Sequence, residues 1–194
     1  MKIILASSSP RRAEILRNAG IPFEIRSAEV DESPLPGESA HAMVARLAQM
    51  KARAAAALLA SPDDLIVVGA DTTVEVDGEI LGKPADSAEA RGMLAKLSGR
   101  THRVLTGIFL LRLRDNAARA AVEASAVTFA PVGEQEISAY VATGEPLGKA
   151  GAYGIQGIAG RHIPKIEGCY FNIVGLPLAS LYKLLRELGW RSED

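Results

Sequence analysis

The run Leu65-Ile66-Val67-Val68 sets four apolar side chains in succession, so both faces of that segment need cover. That is the pattern of a central strand in a sheet. Short β-type runs alternate with longer helical patterns around it, which predicts an α/β domain. Residues 2–6 read as a buried strand. Ser9 reads as an N-cap and Pro10 as the first residue of a helix that runs to about Ala19 and stops at Gly20. Residues 21–27 read as a second strand and residues 28–38 as an acidic, proline-rich loop. The periodicity then predicts a long helix over 39–59. Met43, Leu47, Met50, Ala54 and Leu58 form its core stripe, and Lys51 lies beside that stripe.

Beyond the apolar run comes Gly69-Ala70-Asp71-Thr72-Thr73, and Asp77-Gly78 signals a hairpin between VEV and EIL. A helix is predicted from Asp86 or Ser87 to Leu97. Two long β runs, about 103–114 and 120–130, read as an extended hairpin through Asp115-Asn116. Residues 134–143 read as a helix ending at Gly144, residues 148–160 as a glycine-rich stretch, and residues 163–166 as a short strand. Residues 176–188 read as the closing helix, followed by a fraying tail. There are no internal repeats or linkers, so the whole of 1–194 reads as a single domain with room for two lobes.

The charges nearly cancel, 22 Lys plus Arg against 23 Asp plus Glu, which argues against a general nucleic-acid binder. With one cysteine, Cys169, no intrachain disulfide can form, and three scattered histidines give no zinc pattern. No apolar run reaches 18 residues, so no membrane span is expected. The N-terminus lacks a secretory pattern, and the expected location is the cytoplasm.

Five stretches could carry chemistry. Ser7-Ser8-Ser9-Pro10-Arg11-Arg12 joins a strand to a helix N-terminus, whose amides and dipole attract anions. Arg11 and Arg12 oppose that dipole, a conflict that phosphate would relieve; read alone, the stretch is equally a capped helix with two exposed arginines. Asp71 ends an apolar run, near where ligands gather in α/β sheets, and could bind a metal or deprotonate water; alternatively it caps its own turn. Lys83 could reach back to a phosphate, or be a solvated loop lysine. Asp31-Glu32 could complete a metal site with Asp71, or be solvated charge. The stretch 148–160, with Lys149 and Gln156, matches neither common phosphate loop and reads as a hinge.

Taken together, ASSSPRRAEIL at 6–16, VDES at 30–33, RLAQMKA at 46–52, VVGADTTV at 67–74, LGKP at 81–84, LSGRTHRVLTG at 97–107, KAGAYGIQG at 149–157 and GCYFNIVGLPL at 168–178 resemble the Maf family of nucleoside triphosphate pyrophosphatases. The resemblance implies an α/β, Maf/Ham1-like fold: an elongated twisted mixed sheet flanked by helices, with two lobes and a central cleft. It also implies hydrolysis of a nucleoside triphosphate between the α- and β-phosphates with Mg²⁺ or Mn²⁺, and a homodimer. Asp71 would be the general base. Glu32 would assist at the metal or the water, which makes Asp71 and Glu32 the metal-side carboxylates. Arg11, Arg12, Lys51 and Lys83 would hold the triphosphate, and Ser7 or Ser8 would add contacts. KAGAYGIQG resembles the group that prefers dTTP and UTP, with Arg11, Thr72 and Gln156 at positions that set specificity. A glutamine amide can pair with N3–H and O4 of uracil or thymine. Alternatives at this point are another or modified nucleotide such as 7-methyl-GTP, or a non-catalytic nucleotide-binding regulator of cell division.

Overall fold

The computed structural model describes residues 1–59 and 64–192; the expected fraying at 193–194 lies outside them. The elements are β1 (Lys2–Leu5), α1 (Pro10–Asn18), β2 (Phe23–Ile25), α2 (Ala40–Ala57), β3 (Leu65–Val76) and β4 (Glu79–Leu81). They continue with α3 (Ser87–Leu97), β5 (Thr101–Arg112), β6 (Ala118–Thr128), α4 (Glu134–Ala142), β7 (Lys165–Glu167), α5 (Tyr170–Val174) and α6 (Leu178–Glu187). The fold is mixed α/β. Seven strands follow the order β2-β1-β3-β5-β6-β7, with β4 paired to β3. The β2–β1 and β1–β3 pairs are parallel, while β3–β4 and β6–β7 are antiparallel.

The chain forms two compact units. One comprises Met1–Asp71, Thr106–Glu123 and Gly175–Asp194; the other comprises Thr72–Leu105 and Ala124–Val174. In the first unit, Ile4, Ala6 and Val67 pack with Ala48, Ala52 and Phe109. The second unit has its own core, in which Val74, Leu94, Val104, Phe129, Tyr140 and Tyr153 take part.

In the first unit three features differ from what the sequence predicts. The second strand is shorter than residues 21–27, because Ile21 N–H donates to the Leu16 carbonyl (3.0 Å) and so belongs to the close of α1. The buried face of α2 is also rotated from the expected stripe. Met43 and Leu47 are buried as expected, but Val44, Ala48, Ala52 and Ala55 complete the face, and Leu58 is 65% exposed. The cause is backbone approach. A Cβ on Gly69 would stand 2.1 Å from the Ala48 carbonyl oxygen, and one on Gly107 would stand 2.3 Å from that of Val44. Two glycines thus let α2 lie directly on β3 and β5 with its small residues inward.

The third difference lies at Asp71. It does not end a strand: β3 is 12 residues long and runs on past Asp71 through the alternating stretch to Val76. The parallel ladder with β1 nevertheless stops at Leu5↔Val68, extended only by Ala6 N–H donating to the Val68 carbonyl (2.8 Å). Asp71 therefore lies just past the carboxyl end of the parallel pairing, though inside its own strand.

In the second unit, Asp77 (φ 51°) and Gly78 (φ 81°) both take the left-handed conformation of a two-residue hairpin, as expected. The glycine-rich stretch is not a plain hinge. It holds two short 3₁₀ turns, Ala150–Ala152 and Ile158–His162. The short strand falls at β7, slightly later than residues 163–166. The helix α5 was not expected. The closing helix begins after Pro177, which occupies its N-cap position.

Candidate functional site

Alternation along β3 puts Gly69 and Asp71 on one face of the strand. Gly69 is the contact point of α2, so Asp71 faces the same helix two residues further on. On α2, Lys51 lies within one turn of both Ala48 and Ala52, which flank Gly69. The lysine therefore reaches Asp71 directly, with Nζ donating to Oδ1 at 2.5 Å. The same ammonium stands 2.7 Å from Glu32 Oε1. The Lys51 and Asp71 side chains are 11% and 10% exposed, whereas that of Glu32 is 42% exposed. One buried cation thus links a carboxylate from the sheet to one from the acidic loop.

A second cation is built into the turn between β1 and α1. Arg12 is buried; its Nε donates to the Gly175 carbonyl (2.8 Å) and its Nη1 to Ser7 Oγ (2.9 Å). Burial pulls the Arg12 guanidinium below its ordinary value. Attraction from Asp71 opposes this, repulsion from Arg11 adds to it, and attraction from Glu32 opposes it. Arginine keeps its charge through such shifts. The reading of two exposed arginines therefore fails for Arg12, while Arg11 is half-buried and Ser8 is exposed.

Ser9 occupies the N-cap position but makes no side-chain cap. Ser7 Oγ instead accepts the Ser9 N–H (3.3 Å). With no acidic residue in its first turn, the positive end of α1 remains suited to an anion.

The loop carrying Glu32 is tied to α2 by residues to which the sequence reading gave no role. Arg46 Nε donates to Glu38 Oε1 and Nη2 to Glu38 Oε2, each at 2.7 Å; Nη2 also donates to the Ser33 carbonyl at 3.1 Å. The only signal in the sequence was the place of Arg46 at the head of RLAQMKA.

The first unit therefore brings together Ser7, Arg12, Glu32, Lys51 and Asp71. Of the other expected residues, Thr72 is half-buried in β3, Lys83 is exposed after β4, and Gln156 is exposed between the two 3₁₀ turns; all three belong to the second unit. The stretch with Gln156 is shaped by Glu145, another residue the sequence reading passed over. Glu145 Oε1 accepts from the Tyr140 hydroxyl (2.9 Å) and Oε2 from Ile158 N–H (3.1 Å). The Glu145 carbonyl accepts from Lys149 Nζ. A Cβ on Gly157 would stand 2.1 Å from Glu145 Oε1, so only glycine lets the carboxylate in.

Among the described residues, no group of three or more His, Cys, Asp or Glu side chains gathers as a metal site. No helix among them is long and apolar enough to cross a membrane. Chemically, the first-unit cluster offers hard carboxylate oxygens beside fixed cations, a set suited to phosphate esters and anhydrides.

A family model described as Maf-like protein matches residues 2–188. A dTTP/UTP pyrophosphatase of Symbiobacterium thermophilum is 51% identical over 189 residues, covering 97% of this chain and 95% of that one. A dTTP/UTP pyrophosphatase of Pelotomaculum thermopropionicum is 48% identical over 189 residues, covering 97% of each. Among solved structures, a nucleoside-triphosphatase / dITP/XTP pyrophosphatase of Mycobacterium abscessus aligns over 97% of this chain and 98% of that one, with a TM-score of 0.48 and 19% identity.

Proposed function

The chain belongs to the Maf-like protein family, and from that premise we propose that it hydrolyses dTTP and UTP to the monophosphate and pyrophosphate. The observation that carries the reading is the Lys51 ammonium between the Asp71 and Glu32 carboxylates. Asp71, as general base, takes a proton from water. The water oxygen forms a new P–O bond, one P–O bond of the α–β bridge breaks, and pyrophosphate leaves with the electron pair. Negative charge grows on the leaving group, and Arg11, Arg12, Lys51 and Lys83 hold and neutralise the three phosphoryl groups. Ser7 and Ser8 add hydroxyl or backbone contacts. Thr72 and Gln156 meet the nucleoside, where the Gln156 amide pairs with N3–H and O4 of the pyrimidine.

The donor set fits a divalent cation. Two carboxylate oxygens converge on one cationic point, and Mg²⁺ or Mn²⁺ takes a couple of carboxylates plus substrate phosphates rather than a full protein cage. Asp71 and Glu32 would hold it. When bound, it polarises the phosphoryl oxygens and favours ionisation of water. The remaining parts of the proposal are a homodimer, a cytoplasmic location, and no membrane or nucleic-acid partner.

The experiment is a panel of canonical and modified nucleoside triphosphates with Mg²⁺ or Mn²⁺, with products separated by ion exchange. The reading expects pyrophosphate from dTTP and UTP. Release of orthophosphate, or binding without turnover, overturns it.

A further inference from the structure

We propose that Arg46 is a positioning residue: clamped on Glu38, it fixes the acidic loop to α2 and so sets where the Glu32 carboxylate stands against Lys51. The inference rests on the reading of Asp71, Lys51 and Glu32 as the reacting centre.

Glu32 comes from a loop that has little else to hold it. Leu35 is 53% exposed, and Asp31, Ser33, Pro34 and Pro36 are exposed too; of the apolar side chains in the loop, Ala28 and Val30 are half-buried and none is fully buried. Segments with few buried apolar contacts open easily. Polar contacts supply the anchorage instead. The Glu38 side chain is only 7% exposed, and both of its oxygens meet the Arg46 fork at 2.7 Å. Hydrogen bonding from Arg46 holds the Glu38 carboxyl below its usual range and raises the guanidinium above its own.

Two backbone bonds carry this anchorage along the loop. Leu35 N–H donates to Glu38 Oε2 (3.1 Å), and Ser33 N–H donates to Asp31 Oδ1 (2.9 Å). Arg46 Nη2 then takes the Ser33 carbonyl, the residue next to Glu32. On the helix side, Arg46 Nη1 donates to Met50 Sδ at 3.5 Å. The guanidinium thus bridges one rigid element and both ends of the 33–38 segment, and Lys51 projects from that same rigid element.

The planar fork matters more than the charge. A lysine at 46 carries its three donors on one nitrogen and lacks the flat fork that spans both Glu38 oxygens while also reaching the Ser33 carbonyl. A small displacement of a reacting group is enough to cost one to two decades in rate.

The test compares Arg46→Ala, Arg46→Lys and Glu32→Gln with the double variant Arg46→Ala/Glu32→Gln. With dTTP, Arg46→Ala is expected to lower kcat about 10- to 100-fold with KM little changed, and Arg46→Lys to fall between it and the parent. Once Glu32 has become glutamine, loss of Arg46 should cost little more, because its effect passes through Glu32. A merely structural arginine would add its full cost in both backgrounds, and that result overturns the proposal, as does an Arg46→Ala enzyme with unchanged kcat. The second measurement needs no turnover: acylation of the Lys51 amine, followed by mass spectrometry. Arg46→Ala should speed labelling of Lys51 by loosening its ion pair with Glu32, and should do so no further in the Glu32→Gln background. If the parent protein hydrolyses no nucleotide, the reading of the centre fails, while the labelling still decides the clamp: an unchanged or additive labelling rate overturns it.

Discussion

Lys51 Nζ sits 2.5 Å from Asp71 Oδ1 with both side chains almost out of water, so each ion draws on the other for much of the compensation that water would otherwise give. Removing the lysine should leave a buried carboxylate short of a cation. Lys51→Met is expected to destabilise the protein by about 1–3 kcal/mol. The double variant Lys51→Met/Asp71→Asn should recover part of that loss, because the orphaned charge is gone. Urea unfolding of the two single variants and the double variant measures this; strict additivity would count against the coupling.

Asp71→Asn keeps the size of the side chain and an oxygen for Lys51, but removes the basic carboxylate. Turnover of dTTP should fall by about 10²- to 10⁴-fold, the usual worth of a general base. Far-ultraviolet circular dichroism should be unchanged. Full activity in this variant would refute the role of the aspartate as the base.

The glycines under α2 offer a purely steric prediction. Gly69→Ala and Gly107→Ala place a methyl 2.1 Å and 2.3 Å, respectively, from a helix carbonyl oxygen, far inside van der Waals contact, so α2 must lift. A cost of at least about 1–3 kcal/mol is expected for each. Gly69→Ala should also lower activity in the folded fraction, because Lys51 and Arg46 ride on the displaced helix. Denaturant midpoints combined with specific activity check both statements. Normal stability in either variant would mean that the helix is not seated as described.

His102 gives the chain a predictable acid response. It is buried in the second unit, where its Nε2 shares a 2.7 Å hydrogen bond with the Tyr153 hydroxyl and its ring lies 5.6 Å from Phe129. Its Nδ1 has no partner among the described residues. Burial lowers its pKa from 6.5 to about 4. Between those values the unfolded chain takes up a proton that the folded protein refuses. Stability from this group is therefore undiminished above about pH 6.5 and falls progressively toward pH 4, by up to about 3 kcal/mol. His102→Gln should lose less stability than the parent between pH 7 and pH 5. Urea midpoints at the two pH values decide this, and parallel losses would rule out His102 as the source.

Local chemistry was legible in the sequence wherever one short segment determines its own shape. Asp77-Gly78 announced its hairpin because both residues tolerate the positive φ that the turn demands. Pro10 marked the start of α1, and the run 65–68 marked a central strand for the same kind of local reason. Periodicity misplaced the face of α2, since Met50 and Leu58 are as apolar as the residues that pack, and the selection was made by Gly69 and Gly107, far along the chain. Asp71 stands out in the sequence as a site residue, but nothing local marks that the apolar run and the VEV arm of the hairpin join through it into one 12-residue strand. The partners of Lys51 come from 19 residues before it and 20 after it, and spacing alone could not name them. Glu38 and Arg46 were less legible still. In an acidic, proline-rich loop nothing marks one carboxylate for burial, and it is the fork of Arg46 that selects it.

Specificity should trace to the segment shaped by Glu145. Gln156 is exposed, between turns whose backbone is held by the Glu145 carboxylate through Ile158 N–H. Gln156→Glu replaces an amide that can both donate and accept with a group that only accepts, so pairing with both N3–H and O4 is lost. The expected result is a drop of about tenfold or more in kcat/KM for dTTP and UTP, carried mainly by KM, which corresponds to about 1.4 kcal/mol of lost recognition. The ratio of dTTP to dCTP turnover should fall, because a carboxylate can accept from the exocyclic amine of cytosine. Glu145→Gln should produce a smaller shift of the same ratio by loosening the turn, with kcat near that of the parent. Competition assays with paired nucleotides measure the ratio directly. An unchanged ratio in Gln156→Glu would move base recognition elsewhere while leaving the phosphate chemistry of Asp71 and Lys51 untouched.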